Sequence, residues 1–105
     1  MIPGREIVAV GLNHHTAPVE VRERLAIDPD RLPEHLTALR SGGLVEESVI
    51  LSTCNRVEIY ALVEDPEPGL ALVQYMAGMQ GLDRGRSHFY CHQGEDAVAH
   101  IFRVA

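Results

Sequence analysis

The sequence predicts an α+β domain with the order β-α-β-β-α-β, the split βαβ arrangement of ferredoxin-like sandwiches, followed by an additional C-terminal helix. Three observations lead to this class. Short apolar or alternating runs typical of strands are separated by segments with helical periodicity. Two of the strand runs are joined directly by a tight polar turn, whereas the other connections are long enough to hold a helix. Asp-Pro pairs and glycines mark where the helices begin and end.

Length and composition point to a small globular protein. The chain has 105 residues, which allows one domain with a modest core. Its hydrophobic fraction is 46%, and no apolar run is long enough to span a bilayer. The N-terminus lacks the pattern of a signal peptide, so we expect a cytoplasmic protein without membrane contact, in which Cys54 and Cys91 are free thiols. The net charge of -6 argues against a broad phosphate-binding surface.

The first half of the chain predicts one central strand and two helical segments. Residues 6–12 are apolar on both faces, which is typical of a central strand, and residues 13–18 form a polar loop after it. A short helical turn is predicted over residues 19–26. A firmer helix begins with Asp28 as its N-cap and ends at Gly42 and Gly43. The apolar face of this helix consists of Leu32, Leu36 and Leu39.

The stretch from Ser52 to Arg56 is the polar turn of a predicted hairpin. It places a cysteine, two hydroxyls, an amide and a guanidinium between the apolar run at residues 49–51 and the alternating run at residues 57–63. Because this turn joins two strands, Cys54 is expected at the rim of the sheet rather than inside it. The sequence therefore favours a fold in which the rest of the chain serves to position this thiol.

The second half predicts two more helices and a fourth strand. A helix begins after Asp65, has the apolar stripe Leu72, Val73, Met76 and Met79, and is followed by Gly81. The fourth strand is predicted over residues 88–92. The C-terminal helix begins at Gly94, with acidic residues in its first turn and Arg103 in its last, which matches the helix dipole. The residues predicted to face inward from it are Ala97, Val98, Ile101, Phe102 and Ala105.

The predicted topology brings two distant segments to one edge of the sheet. In the split βαβ order the first two strands run parallel, with the third antiparallel between them, so that their carboxyl ends lie at the same edge of the sheet. The residues expected to meet at this edge are Asn13, His14, Thr16, Thr53, Cys54 and Arg56. The C-terminal helix is the local candidate to cover the second face of the sheet, from which His100 could approach Cys54.

Cys54 has two interpretations from local sequence alone. As a nucleophile it would be assisted by Arg56, because a nearby cation lowers the pKa of a thiol from its usual value of about 8.5. Arg56 could equally hold a substrate carboxylate. The alternative is a small hydrophobic residue that ends a strand, with polar neighbours that only make the turn. For Cys91, in the middle of a predicted strand, and for His100, on an amphipathic helix, the sequence favours a packing role over a catalytic one.

Metal and dinucleotide sites are not indicated. The chain contains no Cys-x-x-Cys pair and no His-x-x-x-His pair on a predicted helix. His88 and His92 are four residues apart, but on a predicted strand they are separated by roughly 13 Å at ~3.3 Å per residue, so we predict no metal site. Gly11 is not followed by the further glycines of a dinucleotide-binding turn.

Three segments resemble motifs of the glutamyl-tRNA reductase family. Residues 11–19 (GLNHHTAPV), with Arg22 and Glu23, resemble its opening motif, residues 51–60 (LSTCNRVEIY) resemble its active-site motif, and residues 97–105 (AVAHIFRVA) resemble a third. They occur in the family's order across the chain. The resemblance is to the N-terminal domain, so residues 1–105 are identified as a single catalytic, glutamyl-binding domain that lacks the family's NADPH-binding and dimerisation domains.

The resemblance implies a mechanism. In the family the cysteine matched by Cys54 attacks the ester of glutamyl-tRNA to form a thioester, which NADPH reduces to glutamate-1-semialdehyde in the first step of tetrapyrrole (porphyrin) biosynthesis. Arg56 would grip a carboxylate of the substrate. His100 matches the family's activity-supporting histidine and would transfer a proton or polarise the carbonyl. The substrate-binding residues implied are Asn13, His14, Thr16, Thr53, Cys54, Asn55 and Arg56.

The resemblance also implies partners and a cofactor. Glutamyl-tRNA is the substrate, and NADPH is bound by a domain absent from this chain. A homodimer is expected for the full-length enzyme through another absent domain, and glutamate-1-semialdehyde aminomutase is a further candidate partner. No metal is implied.

Two other functional classes stay open at this stage. A stand-alone thiol esterase or acyl carrier would use Cys54 without any nicotinamide. A non-catalytic ferredoxin-like regulatory module would be favoured if Cys54 were buried and unreactive.

Overall fold

The domain consists of a four-stranded sheet with helices on both faces. The computed structural model describes residues 5–42, 45–64, 72, 75–76 and 88–105. The strands are β1 (Glu6–Asn13), β2 (Glu47–Ser52), β3 (Arg56–Val63) and β4 (Tyr90–Gln93). The helices are α1 (Val19–Leu25), α2 (Leu32–Ser41), which follows the 3-10 turn Pro29–Arg31, and α3 (Gly94–Val104).

The α+β class predicted from the sequence is confirmed. The strand order is β2-β3-β1-β4, and each neighbouring pair is antiparallel. Since β3 lies between β1 and β2 and is antiparallel to both, β1 and β2 run parallel, as predicted. The predicted helix at residues 65–79 lies outside the described residues except for Leu72, Tyr75 and Met76. The complete ferredoxin-like topology therefore stays a prediction.

The main hydrophobic core lies between one face of the sheet and the helices α1 and α2. Alternation along β1 and β3 directs every second side chain to this face, because side chains of a strand point to opposite sides in turn. Leu72 and Met76 are fully buried in the same core. The other members from these elements are Val8, Val10, Leu12, Leu25, Leu39, Val57, Ile59, Ala61 and Val63.

Helix α2 begins as the sequence predicted. The Asp28 carboxylate accepts a hydrogen bond from the backbone N–H of Asp30 at 2.9 Å, which satisfies one of the free donors at the start of the helical segment. A single 3-10 turn comes first, and α2 proper starts at Leu32. Gly42 is the C-cap, in agreement with the predicted end.

The prediction of which α3 residues face inward is largely wrong. The helix packs across β1 and β4 and buries Gly94, Ala97 and His100, whereas Val98 is 37% exposed and Phe102 is 76% exposed. The inward face therefore carries two small residues and a histidine. The physical reason is that His100 is hydrogen-bonded to a buried carboxylate on β3, which sets the rotation of the helix about its axis.

The fourth strand begins two residues later than predicted. β4 starts at Tyr90 rather than at His88. His88 instead donates a hydrogen bond from Nδ1 to the backbone carbonyl of Thr16 at 3.0 Å, so it is bound to the loop that follows β1.

Within the residues described, no helix is long and apolar enough to cross a membrane.

Candidate active site

Two polar turns meet at one edge of the sheet. Asn13, the last residue of β1, lies opposite Arg56, the first residue of β3, and Ser52 at the end of β2 lies opposite Val57. The loop after β1 and the turn that contains Cys54 are therefore neighbours, although about forty residues separate them in sequence. This juxtaposition was predicted from the strand order alone.

The turn around Cys54 is held together by Thr53. Its hydroxyl oxygen accepts hydrogen bonds from the backbone N–H groups of Asn55 and Arg56, both at 3.2 Å. Its own backbone N–H donates to the carbonyl of Arg56 at 2.8 Å. Cys54 and Asn55 are exposed at the tip of this turn. The thiol is thus presented to solvent on a short loop whose backbone is fixed from within.

The loop after β1 has the same kind of internal support. The Asn13 side-chain oxygen accepts from the backbone N–H groups of His15 at 2.9 Å and Thr16 at 3.2 Å. The Thr16 hydroxyl accepts from the Asn13 N–H at 3.0 Å and donates to the Asn13 carbonyl at 3.3 Å. These contacts show that the polar groups of Asn13 and Thr16 shape the loop. Substrate binding by these two residues stays a prediction.

His14 is exposed on this loop and lies in the field of its neighbours. Its ring centroid is 3.9 Å from that of His15. Loss of hydration and the positive charges of His15, Arg22 and Arg56 lower the pKa of His14. An effect of Arg56 on His14 is consistent with both residues facing the same edge.

A buried carboxylate, Glu58, lies next to this edge and was not identified as a site residue from the sequence. Its side chain is completely buried. Oε1 accepts from Arg56 Nη1 at 3.0 Å and from the Tyr60 hydroxyl at 3.1 Å, and Oε2 accepts from Nε2 of His100. Both oxygens of one carboxylate are therefore used, and they connect the end of β3 to α3.

The electrostatics of Glu58 favour its ionised form. Burial alone would raise the pKa of this carboxyl, but the hydrogen bonds from His100 and Arg56 outweigh burial and hold the pKa below its usual value. Burial and the negative charge of Glu58 raise the pKa of Tyr60 and also that of Tyr90. The two phenols therefore stay protonated around an ionised carboxylate.

Three aromatic rings enclose the carboxylate from β4 and α3. The centroid of the His100 ring lies 4.6 Å from that of His92 and 5.3 Å from that of Tyr90. Burial and the charges of His100 and Arg103 lower the pKa of His92. His100 thus lies within the cluster over Glu58, and the connection from it to the cysteine turn runs through Glu58 and Arg56.

The two cysteines differ in setting although both are free and exposed. Cys54 lies at the tip of a turn, as predicted. Cys91 lies within β4 opposite Val10, and partial burial raises the pKa of its thiol. Exposure of Cys54 removes one condition that would have favoured a non-catalytic module.

Among the described residues, no three histidine, cysteine or acidic side chains are grouped so that they could hold a metal ion.

The one signal in the sequence for Glu58 was its register on β3. Arg56, Glu58 and Tyr60 alternate with the core residues and so share the sheet face that α3 covers. Which member of that set would be buried depended on the packing of α3.

These features define an α+β domain that presents an exposed cysteine and a tethered arginine at one sheet edge. Comparison with known proteins shows where such a domain occurs. The family model for the N-terminal domain of glutamyl-tRNA(Glu) reductase matches residues 10–105, and the chain belongs to this family.

Individual relatives agree with the family match. The chain is 48% identical over 102 residues to a glutamyl-tRNA reductase of Synechococcus sp. (strain WH7803), covering 94% of the chain and 23% of that protein. It is 42% identical over 101 residues to a glutamyl-tRNA reductase of Pseudoalteromonas translucida, covering 94% of the chain and 24% of the relative. The chain thus spans about a quarter of the length of the curated relatives it matches.

A solved structure has the same fold. The glutamyl-tRNA reductase of Methanopyrus kandleri superimposes with a TM-score of 0.65 at 28% identity, and the match covers 93% of this chain and 21% of that one.

Proposed function

We propose that this chain is the acyl-accepting domain of a glutamyl-tRNA reductase, in which Cys54 receives the glutamyl group. The observation that carries the proposal is the exposed Cys54 thiol on a turn held by hydrogen bonds to Thr53. Two residues away, Arg56 is held by an ion pair with Glu58. Membership of the family supplies the substrate class.

The proposed step is a transfer of the acyl group from oxygen to sulfur. The Cys54 thiolate attacks the carbonyl carbon of the ester, a carbon–sulfur bond forms, and the bond from that carbon to the tRNA oxygen breaks. The tRNA leaves as its free hydroxyl after taking up a proton. A thiol suits this step because it is a good nucleophile near neutral pH, and because its thioester is more electrophilic than the oxygen ester that it replaces.

Arg56 is proposed to bind the side-chain carboxylate of the glutamyl group. One of its N–H donors is used by Glu58, and a guanidinium has five, so donors remain for a substrate. Thr53 and Asn55 lie on the same turn. The Thr53 hydroxyl hydrogen and the exposed Asn55 amide would donate further hydrogen bonds to the glutamyl group. His14 faces the same edge from the neighbouring loop.

His100 is proposed to support the reaction as a proton-transfer group. Its Nε2 donates to Glu58, which leaves Nδ1 as the nitrogen that can take up or release a proton. The contacts in the described part of the chain connect it to the cysteine turn by way of Glu58 and Arg56.

Reduction of the thioester by NADPH is part of the family's reaction, but the residues of this chain do not fit a nicotinamide dinucleotide. The sequence contains no G-x-G-x-x-G segment. Gly11 lies within β1, directly opposite Glu58, rather than in a turn between a strand and a helix. The proposal for this chain therefore ends at the thioester, and the hydride step is assigned to the remainder of the longer relatives.

A stand-alone thiol esterase would use the same cysteine, and the same experiment separates the two functions. The protein is incubated with glutamyl-tRNA, and intact and peptide masses are recorded over time. A glutamyl adduct on the Cys54 peptide that is absent from Cys54→Ala and present in Cys91→Ala is the expected result. Steady release of glutamate over many turnovers would favour the esterase. Failure of Cys54 to become acylated would contradict both.

A further inference from the structure

We propose that Glu58 is a positioning residue that fixes Arg56 and His100 as one unit beside the Cys54 turn. This inference rests on the proposed function. In this inference the buried carboxylate orients both the Arg56 guanidinium, which recognises the substrate, and the His100 ring, which transfers a proton.

The first argument is how the two carboxylate oxygens are used. Oε1 accepts from Arg56 Nη1 at 3.0 Å, and Oε2 accepts from Nε2 of His100. Arg56 is on β3 and His100 is on α3, so a single side chain connects the strand that follows the cysteine turn to the helix across the sheet. Charge-assisted hydrogen bonds of this kind are shorter and stronger than neutral ones, and they restrict the orientation of both partners.

The second argument is that the neighbouring strand leaves room for this carboxylate. Gly11 of β1 lies directly opposite Glu58. A Cβ atom on Gly11 would collide first with the backbone carbonyl oxygen of Val57 and would also lie 2.8 Å from Cγ of Glu58, so a glycine is needed for both the β3 backbone and this side chain to lie where they do. On the same face of β1, the next residue along is Ala9, which is fully buried. Two small residues thus lie on this face of the central strand, and Glu58 lies across from Gly11.

The third argument is that burial makes the arrangement sensitive to loss of the charge. A buried carboxylate is stable only when it is paired and hydrogen-bonded. Besides Arg56 and His100, the titratable groups around it are Tyr60 on β3 and Tyr90 and His92 on β4. Neither phenol carries a positive charge, and burial lowers the pKa of His92. Among the described residues, Arg56 supplies the positive charge that pairs with Glu58, and His100 supplies a hydrogen bond to its second oxygen.

Two consequences follow for the chemistry. Because Nε2 of His100 must carry a hydrogen to donate to Glu58, the tautomer of its neutral ring is fixed and Nδ1 is the nitrogen without a hydrogen. Because one Nη of Arg56 is bound by Glu58, the guanidinium is held in one orientation before any substrate arrives, and less side-chain entropy is lost when it binds a carboxylate.

The tautomer of His100 can be measured without any substrate. Ring nitrogens of a ¹⁵N-histidine-labelled protein are assigned by comparison with His100→Gln, and their chemical shifts report which nitrogen carries the hydrogen. We expect Nε2–H in the unmodified protein, and a mixture of tautomers in Glu58→Gln. An Nδ1–H tautomer in the unmodified protein would overturn the inference even if the Glu58 variants failed to fold.

The effect on Arg56 is measured by selectivity between two acyl donors. Benzyl thioesters of glutamate and glutamine differ only in the charge of the side chain, and acylation of Cys54 by each is followed by mass spectrometry. In Glu58→Gln the preference for the glutamate thioester should fall by about tenfold or more, because the arginine that recognises the carboxylate is no longer aimed. Glu58→Asp, which keeps the charge, should retain part of the preference.

The matched control is Glu47→Gln, which removes the same charge from an exposed position on β2. It should leave the preference unchanged. If Glu58→Gln slowed acylation by both thioesters equally, Glu58 would be only a structural residue, and the inference would be wrong. If the unmodified protein were acylated by neither thioester and not by glutamyl-tRNA, the proposed function would fail, and the tautomer measurement would still decide the role of Glu58 toward His100.

Discussion

Gly11 and Glu58 are direct cross-strand neighbours, and the absence of a side chain at Gly11 leaves room for the backbone of β3 and for the buried Glu58 side chain. The glycine lies in the central strand β1, where a side chain would otherwise fill the space between the sheet and α3. The carboxylate that occupies this space holds an arginine and a histidine. The contact between Gly11 and Glu58 therefore links a backbone position in β1 to the polar cluster of Glu58, Arg56 and His100.

Gly11→Ala is expected to destabilise the fold. The added methyl group would collide with the backbone carbonyl oxygen of Val57 and would lie 2.8 Å from Cγ of Glu58, and because a backbone atom cannot move aside alone, the strands must shift. Overpacking of this kind costs about 1–3 kcal/mol, and we expect a loss of that size in the free energy of unfolding by urea. Gly42→Ala is the control, because Gly42 has a helical backbone and an added Cβ would come no nearer than 3.3 Å, to the Ala38 carbonyl oxygen, so only a small adjustment is needed and the change should stay below about 1 kcal/mol. Equal stability of the two variants would contradict the role given to Gly11.

Cys54 is expected to react before Cys91. Both thiols are exposed, but partial burial raises the pKa of Cys91 and reduces its thiolate fraction, whereas Cys54 is at the tip of a turn. Limited alkylation with iodoacetamide at neutral pH, followed by peptide mass spectrometry, should label Cys54 first. Preferential labelling of Cys91, or a disulfide between the two in reduced protein, would show that this ranking is wrong.

Arg56→Lys is expected to weaken recognition of the glutamyl group although the positive charge is kept. Arg56 can donate to Glu58 and to a substrate carboxylate at the same time through its planar fork, which a single ammonium group cannot reproduce. The loss should be about 1–3 kcal/mol of binding free energy, measured from the concentration dependence of Cys54 acylation by glutamyl-tRNA. Arg31→Lys, in an exposed pair with Glu34, serves as the control. Unchanged acylation in the Arg56 variant would exclude it as the carboxylate-binding residue.

The contribution of Glu58 to the stability of the domain should disappear in acid. Its pKa in the fold lies below the usual value of 4.5, so its stabilising contribution is fully present above about pH 4.5 and is lost as the pH falls through the folded-state pKa. Glu58→Gln should lower the free energy of unfolding at pH 7 by about 3 kcal/mol, because it leaves the largely buried charge of Arg56 without its counter-ion. The curves of unfolding free energy against pH for the two proteins should converge below pH 4.5. Parallel curves would show that Glu58 has the same pKa in the folded and unfolded states.

NADPH is expected to change neither the rate nor the product of the reaction of this chain with glutamyl-tRNA. Any thioester on Cys54 would be open to water and should give slow release of glutamate. Affinity for the tRNA should be low, because the net charge of -6 leaves little attraction for a polyanion. The assay measures glutamate and the semialdehyde with and without NADPH. Semialdehyde that appears only with NADPH would show that these residues contain a nicotinamide site.

The sequence by itself determined the class of the fold and the position of the cysteine. Alternation and turn residues were enough to predict the hairpin around Cys54, since these signals are local. The strand order then brought Asn13 close to Arg56, because a split βαβ arrangement places the ends of β1 and β2 at the same edge. Three motifs in order pointed to the family that comparison with known proteins confirms.

Only the tertiary structure decided which side of α3 faces the sheet and which polar residue is buried. The apolar residues of α3 favoured an inward face with Ile101 and Phe102, yet Phe102 is exposed and His100 is buried. The reason is non-local: the free energy of pairing an ionised Glu58 with His100 depends on a helix, two strands and the space above Gly11 together. Periodicity within one element carries no information about such a pairing, because it describes which residues share a face and not what lies across from it.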